Sequence, residues 1–133
     1  MKTDEELFGA LQEATTGLLM MSESDYPFEV IRWSGSEQLS PEYLRRVAGL
    51  EASAPLAETD LETFFRVAAG EQEWKSEADL LVAKKYQRLM RLLADNLTGI
   101  RVCRMGEINI HVYVVGRSAE GNWLGVSTQL VET

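Results

Sequence analysis

The hydrophobic period changes at Gly99, and that change limits what the chain can fold into. Before Gly99, apolar residues recur three or four positions apart, as on one face of a helix. After it, "IRVCR", "INIHVYVV" and "WLGVSTQLV" are β-branched runs of strand character. The links between them, "MGE" and "GRSAEGN", are short, so the three strands form an antiparallel meander. A strand run earlier in the chain, "FEVIRW" at 28–33, follows Pro27 and can join them in a sheet of about four strands.

The helical half carries its own punctuation. Thr3 and Glu6 form a capping box, and Leu7, Phe8, Leu11 and Ala14 follow at helical spacing up to Gly17. Ser40 caps a short helix that has Pro41 at its first position and ends near Ala48, before Gly49. Thr59 with Glu62 suggests a second capping box, opening a helix to about Ala69 with Leu61, Phe64, Phe65 and Ala68 on its apolar face and Gly70 at its end. Ser76 with Asp79 resembles a further cap. The longest helix then runs from Glu77 to about Leu97, with Val82, Tyr86, Leu89 and Leu93 as its stripe and Lys84, Arg88 and Arg91 on a solvated side. Helices early and strands late give an α+β class in which helices pack on a sheet.

Composition bounds the function. A chain of 133 residues with 45% hydrophobic content makes one domain over 1–133. The N-terminus is acidic and has no apolar core of a signal peptide, no run reaches membrane-spanning length, and one cysteine excludes an internal disulfide. A reducing cytoplasm is the expected setting. The net charge is −8, concentrated as −6 over residues 1–30 and −6 over residues 51–79. That balance disfavours direct contact with nucleic-acid phosphates. It suits either plain solubility or a basic protein partner.

No catalytic constellation stands out. The glycines fit no phosphate-binding loop, and one cysteine and one histidine cannot build a metal cluster, so neither a cofactor nor a metal of its own is expected. A turn centred near Gly106 and Glu107 sets Val102 opposite His111 and turns Cys103 to the other face. Cys103 then reads as a buried structural thiol, with a Cys103–His111 enzyme as the competing reading. Trp74 sits in a polar loop beside Gln72 and Glu73, where it can fold inward as a plug or stand out as a binding anchor. Ser22, Glu23, Ser24 and Asp25 form an acidic loop stiffened at its exit by Pro27. The last strand run stops on Glu132 and Thr133. These features suit a binder better than an enzyme.

The stretches "GLLMMSESDYPFEV", Gln72–x–Trp74, "VAKKYQRLM" and "RMGEINIHVYVVGRSAEGNWLGVSTQLVET" closely resemble the nuclease A inhibitor family of cyanobacteria, over nearly the full chain. The resemblance implies an α/β/α sandwich similar to the pathogenesis-related class 1 fold. It also implies inhibition of a sugar-nonspecific DNA/RNA nuclease of the ββα-metal type, by a protein that is monomeric when free. Carried over by motif, Glu23 meets a basic residue of the nuclease, with Ser24 and Asp25 beside it. Gln72, Glu73 and Trp74 supply further contacts, and Glu132 and Thr133 reach the active site, Thr133 near the partner's Mg²⁺. Hard oxygens at the end of the chain suit such an ion. Asp25 stands where the family has a glutamate, and His111 where it has an acid. An interaction module of the same fold with a non-nuclease partner is the alternative.

Overall fold

The structure, a computed structural model, describes residues 2–20, 26–36, 38–51, 53–64 and 77–131. Helix α1 (Asp4–Thr15) leads into a two-stranded hairpin of β1 (Leu19–Met20) and β2 (Tyr26–Pro27), followed by β3 (Glu29–Trp33) and α2 (Pro41–Val47). Strand β4 (Leu56–Thr59), helix α3 (Glu77–Asn96) and strands β5 (Thr98–Met105), β6 (Asn109–Arg117) and β7 (Trp123–Val131) complete the order. The main sheet has five strands in the order β3-β7-β6-β5-β4, every neighbouring pair antiparallel.

The expected meander is present, with β7 spanning the predicted residues. The sheet is one strand wider than predicted. Strand β4 has four residues, lies at an edge, and carries Glu58 there. Short charged edge strands resist pairing with other chains, and the same brevity leaves little alternation to read in the sequence. The second predicted cap is also corrected. Thr59 belongs to β4, and Asp60 caps the helical turn over 61–64, its Oδ1 accepting from Thr63 N at 2.7 Å. Its carboxylate reaches the N-terminal amides that Thr59, held in a strand ladder, cannot reach. The rest of that predicted helix, with Phe65, Ala68 and Gly70, and the Ser76 cap lie outside the described residues.

The predicted capping box of α1 forms in full: Glu6 N donates to Thr3 Oγ1 at 3.2 Å, and Thr3 N donates to Glu6 Oε1 at 3.1 Å. Ser40 caps α2 by accepting from Tyr43 N at 3.1 Å. The stripe of α3 is buried at Tyr86, Leu89 and Leu93, while Lys84, Arg88 and Arg91 are exposed. Leu7 and Leu11 of α1 join these residues over Val102, Val112, Val114, Leu124 and Val126, covering one sheet face. On the other face Leu44 of α2 packs with Ile31, Cys103, Met105, Tyr113 and Val115, flanked by Trp33, Tyr43 and Trp123. The molecule is therefore three layers, helix–sheet–helix, within the α+β class. At Gly125 the strands approach so closely that a Cβ would lie 1.8 Å from the Val114 carbonyl oxygen.

One end of the sandwich is closed by polar groups. Asn122 Nδ2 donates to Asp4 Oδ2 at 2.7 Å, and Gly35 N donates to Asn122 Oδ1 at 2.9 Å. Arg117 Nη1 reaches the Gly35 and Gly121 carbonyls at 2.8 and 2.7 Å, and its guanidinium lies 3.9 Å from the centre of the Trp123 ring. Lys2 N donates to Asn96 Oδ1 at 3.0 Å, fixing the start of α1 to the end of α3. Asp4 is fully buried. Burial acts to raise its pKa, but hydrogen bonds from Ser118 and Asn122, with Arg32 nearby, outweigh it and hold the carboxyl below its ordinary value.

A depressed folded-state pKa stabilises the fold above the unfolded value, and that contribution is lost as pH falls through the folded one. Asp4→Asn is expected to cost about 1.5–3 kcal/mol near neutral pH, the range for a hydrogen bond to a charged group. The gap from wild type should close as pH drops below the ordinary carboxylate range. Thermal melts of both proteins over a pH series would show this; a gap that is constant with pH would show that the charge of Asp4 contributes nothing.

Candidate binding surface

The residues expected to bind a partner are Glu23, Ser24, Asp25, Gln72, Glu73, Trp74, Glu132 and Thr133, and all eight lie outside the described residues. The elements to which they are joined are described, and they share one end of the sandwich. Strands β5 and β7 both run antiparallel to β6, so Met105 and Val131 finish at the same end, the latter paired with Asn109. The β1–β2 hairpin, which brackets residues 21–25, pairs Leu19 with Pro27 and Met20 with Tyr26. Thr128 Oγ1 donates to the Pro27 carbonyl at 3.0 Å and ties this hairpin to the last turns of β7. The Tyr86 hydroxyl donates to the Leu19 carbonyl, and Asn96 lies at the closed end, so α3 begins at the hairpin end. Glu77, its first residue, follows the segment that contains Gln72, Glu73 and Trp74.

The same end carries unpaired apolar surface. Among the described residues, the exposed large hydrophobic side chains are Leu19, Val47, Leu81 and Ile108, from 39% to 60% accessible. Leu19 is in the hairpin, Leu81 in the second turn of α3, Ile108 in the β5–β6 turn, and Val47 at the end of α2 beside Tyr26 and Gln129. Single exposed hydrophobics are ordinary; these four sit on elements that reach the same end. Sequence reading missed them because each is unremarkable in its own window. Only the fold brings the four together.

The expected register near Cys103 is overturned. Met105, not Val102, pairs with His111, and Cys103 pairs with Tyr113. Pairing therefore crosses farther along the strands than a tight turn at Gly106 and Glu107 requires. Cys103 and His111 share a sheet face but occupy successive cross-strand pairs. Cys103 Sγ instead lies 3.5 Å from Glu58 Oε1, and Arg101 Nε donates to that same oxygen at 2.9 Å. Burial first, and then the Glu58 charge, push the thiol up to about 11, against the pull of Arg101. A thiol held protonated is a poor nucleophile, so the environment suits packing. His111 is partly exposed. No group of three or more His, Cys, Asp or Glu among the described residues could hold a metal ion. No described helix is long and apolar enough to cross a membrane.

A family model described as nuclease A inhibitor-like protein matches residues 5–133. The chain belongs to the nuclease A inhibitor-like family, and a general role in nuclease inhibition, with a nuclease as partner, follows from that membership. Comparison with curated protein sequences gives no match.

Cys103 is expected to resist thiol reagents in the folded protein at neutral pH and to react fully in denaturant. Time courses with a chromogenic disulfide reagent would test this, and rapid native labelling would reopen the reading of Cys103 as a reactive group.

Proposed function

We propose that this protein inhibits a sugar-nonspecific DNA/RNA nuclease of the ββα-metal type by placing the hairpin end of the sandwich in its active-site cleft, without itself catalysing a reaction. The observation that carries this reading is the convergence at one end. The exposed hydrophobics Leu19 and Leu81 lie on the elements to which residues 21–25 and 72–74 are joined, Ile108 precedes the Asn109 that pairs with Val131, and Val47 lines a cleft with Tyr26 and Gln129. In this reading Glu23 pairs with a basic residue of the nuclease, and a carboxylate–guanidinium pair supplies both charge and geometry. Ser24 and Asp25 extend that contact, and Gln72 and Glu73 flank Trp74, which serves as an aromatic anchor. Glu132 follows the last strand, and Thr133 brings hard oxygen near the partner's Mg²⁺. A nuclease cleft is built for a polyanion, so a net charge of −8 favours association with it. The inhibitor occupies the substrate's place and offers no phosphodiester bond to cut. It acts in the cytoplasm as a monomer until bound.

The direct test is plasmid cleavage by a sugar-nonspecific ββα-metal nuclease with increasing amounts of the protein. Inhibition saturating at a defined stoichiometry is expected; unchanged cleavage rejects the proposal. Glu23→Ala and Trp74→Ala should each weaken binding by about 2–4 kcal/mol, as desolvated anchors do. Calorimetry on the folded variants reads this, and wild-type affinity in both would remove these residues from the contact.

The apolar rim gives an independent check. Ile108→Asp and Leu81→Asp place a charge at exposed positions, so their melting temperatures should stay close to wild type. Each should weaken inhibition by roughly tenfold or more, because an unpaired charge is desolvated at an interface. Full inhibition by both would mean that the partner docks elsewhere.

A further inference from the structure

The sheet face under α2 is only partly covered. Helix α2 has seven residues and so spans about 10 Å, against nine-residue strands of about 30 Å. Beyond its C-terminal end two cross-strand rows are open on their β3–β7 side, although Cys103 and Met105 at their far ends stay buried with Leu44. One row, set by register, runs Glu29–Ser127–Tyr113 and continues to Cys103. The next holds Gln129 and His111. With Tyr26 from the hairpin and Val47 from α2 as walls, these residues line a cleft of about 340 Å³ at the hairpin end.

We propose that this cleft is a second recognition site on the inhibitor, one that receives a single arginine side chain of the partner nuclease. The proposal rests on the nuclease-inhibitor reading and adds to the contacts assigned there. The cleft's chemistry selects a planar cation. Glu29 is its carboxylate, His111 is the one basic side chain among the described residues that line it, and the ion pair found among the described residues, Arg101–Glu58, lies elsewhere. Tyr26 and Tyr113 supply aromatic surface on which a guanidinium stacks better than an ammonium does. Ser127 and Gln129 add oxygen acceptors for the remaining N–H groups. Tyr113 is nearly buried, and burial together with the Glu29 charge raises its pKa, so it keeps its proton and stays neutral beside an incoming cation. The volume lies at the low end for ligand pockets, matched to a side chain rather than a nucleotide. An anion would meet the Glu29 carboxylate with neither lysine nor arginine among the described lining residues to offset it. Tyr26 directly follows the acidic loop, so a partner engaged by Glu23 would bring its surface over the cleft.

Two measurements test this. In nuclease inhibition, Glu29→Gln keeps the shape of the side chain and removes its charge, and it is expected to raise the inhibition constant roughly tenfold or more. Glu5→Gln, on the first turn of α1 at the closed end, serves as the control and should match wild type. In NMR titrations without nuclease, N-acetyl-argininamide should shift the amide signals of Tyr113, Ser127 and Gln129 in wild type but not in Glu29→Gln, and the neutral citrulline counterpart should leave them unmoved. If wild type inhibits and Glu29→Gln inhibits equally, the cleft assignment is overturned and the inhibitor reading stands. If wild type leaves the nuclease active, the inhibitor reading falls and takes the proposed partner with it. Equal shifts from the arginine and citrulline compounds, or none from either, would also overturn the cleft assignment.

Discussion

The fold depends on strand β6. It is hydrogen-bonded on both sides, to β5 and β7, and Val112 through Gly116 are buried without alternation. A strand that is apolar on both faces cannot lie on a solvated sheet, so each face must be covered. Helices α1 and α3 cover one face with Leu7, Leu11, Tyr86, Leu89 and Leu93. The second face receives α2, with Leu44 fully buried and Trp33, Tyr43 and Trp123 packed around it. The two covers are unequal. The α3 side is spanned from end to end by a helix of 20 residues, whereas α2 protects only the middle of its face. The three-layer form, and the cleft beyond α2, both follow from burying β6 with helices of these lengths.

Much of this was legible in the sequence because period and capping report on local physics. The Thr3–Glu6 box, the Ser40–Pro41 start, the α3 stripe and the bounds of β7 all rest on contacts a few residues apart or on simple alternation. What escaped the sequence depends on partners far along the chain. The "LAET" of β4 is a strand because β5 offers Met105 through Val102 as a ladder, not because of its own pattern. The Asp60 cap was hidden by the neighbouring Thr59 and Glu62, which fit the same template one position earlier. The Cys103 register differed from expectation because a turn motif alone does not count the residues that the loop consumes.

The candidate site divides in the same way. Motif resemblance named Glu23, Gln72, Trp74 and Thr133, residues whose proposed role lies in a partner and which local physics has no means to single out. The apolar rim of Leu19, Val47, Leu81 and Ile108 was invisible in sequence because three of the four belong to separate elements of secondary structure and the fourth to a turn. The two sources are independent. The described elements that flank the motif residues reach the same end as the rim because the direction of β7, the hairpin and the start of α3 are set by the same antiparallel sheet and the same α1–α3 packing.

The contrast between the two ends then has a physical reason. At the closed end Asn122 bridges Asp4 Oδ2 and Gly35 N, and Arg117 binds the Gly35 carbonyl, so turn backbone that would otherwise lack partners is paired. That network holds α1 to the β6–β7 turn. Apolar side chains exposed at the hairpin end weaken solubility, and a net charge of −8 opposes self-association. The same charge favours a basic partner over a second copy of the chain, because two copies of net charge −8 repel each other.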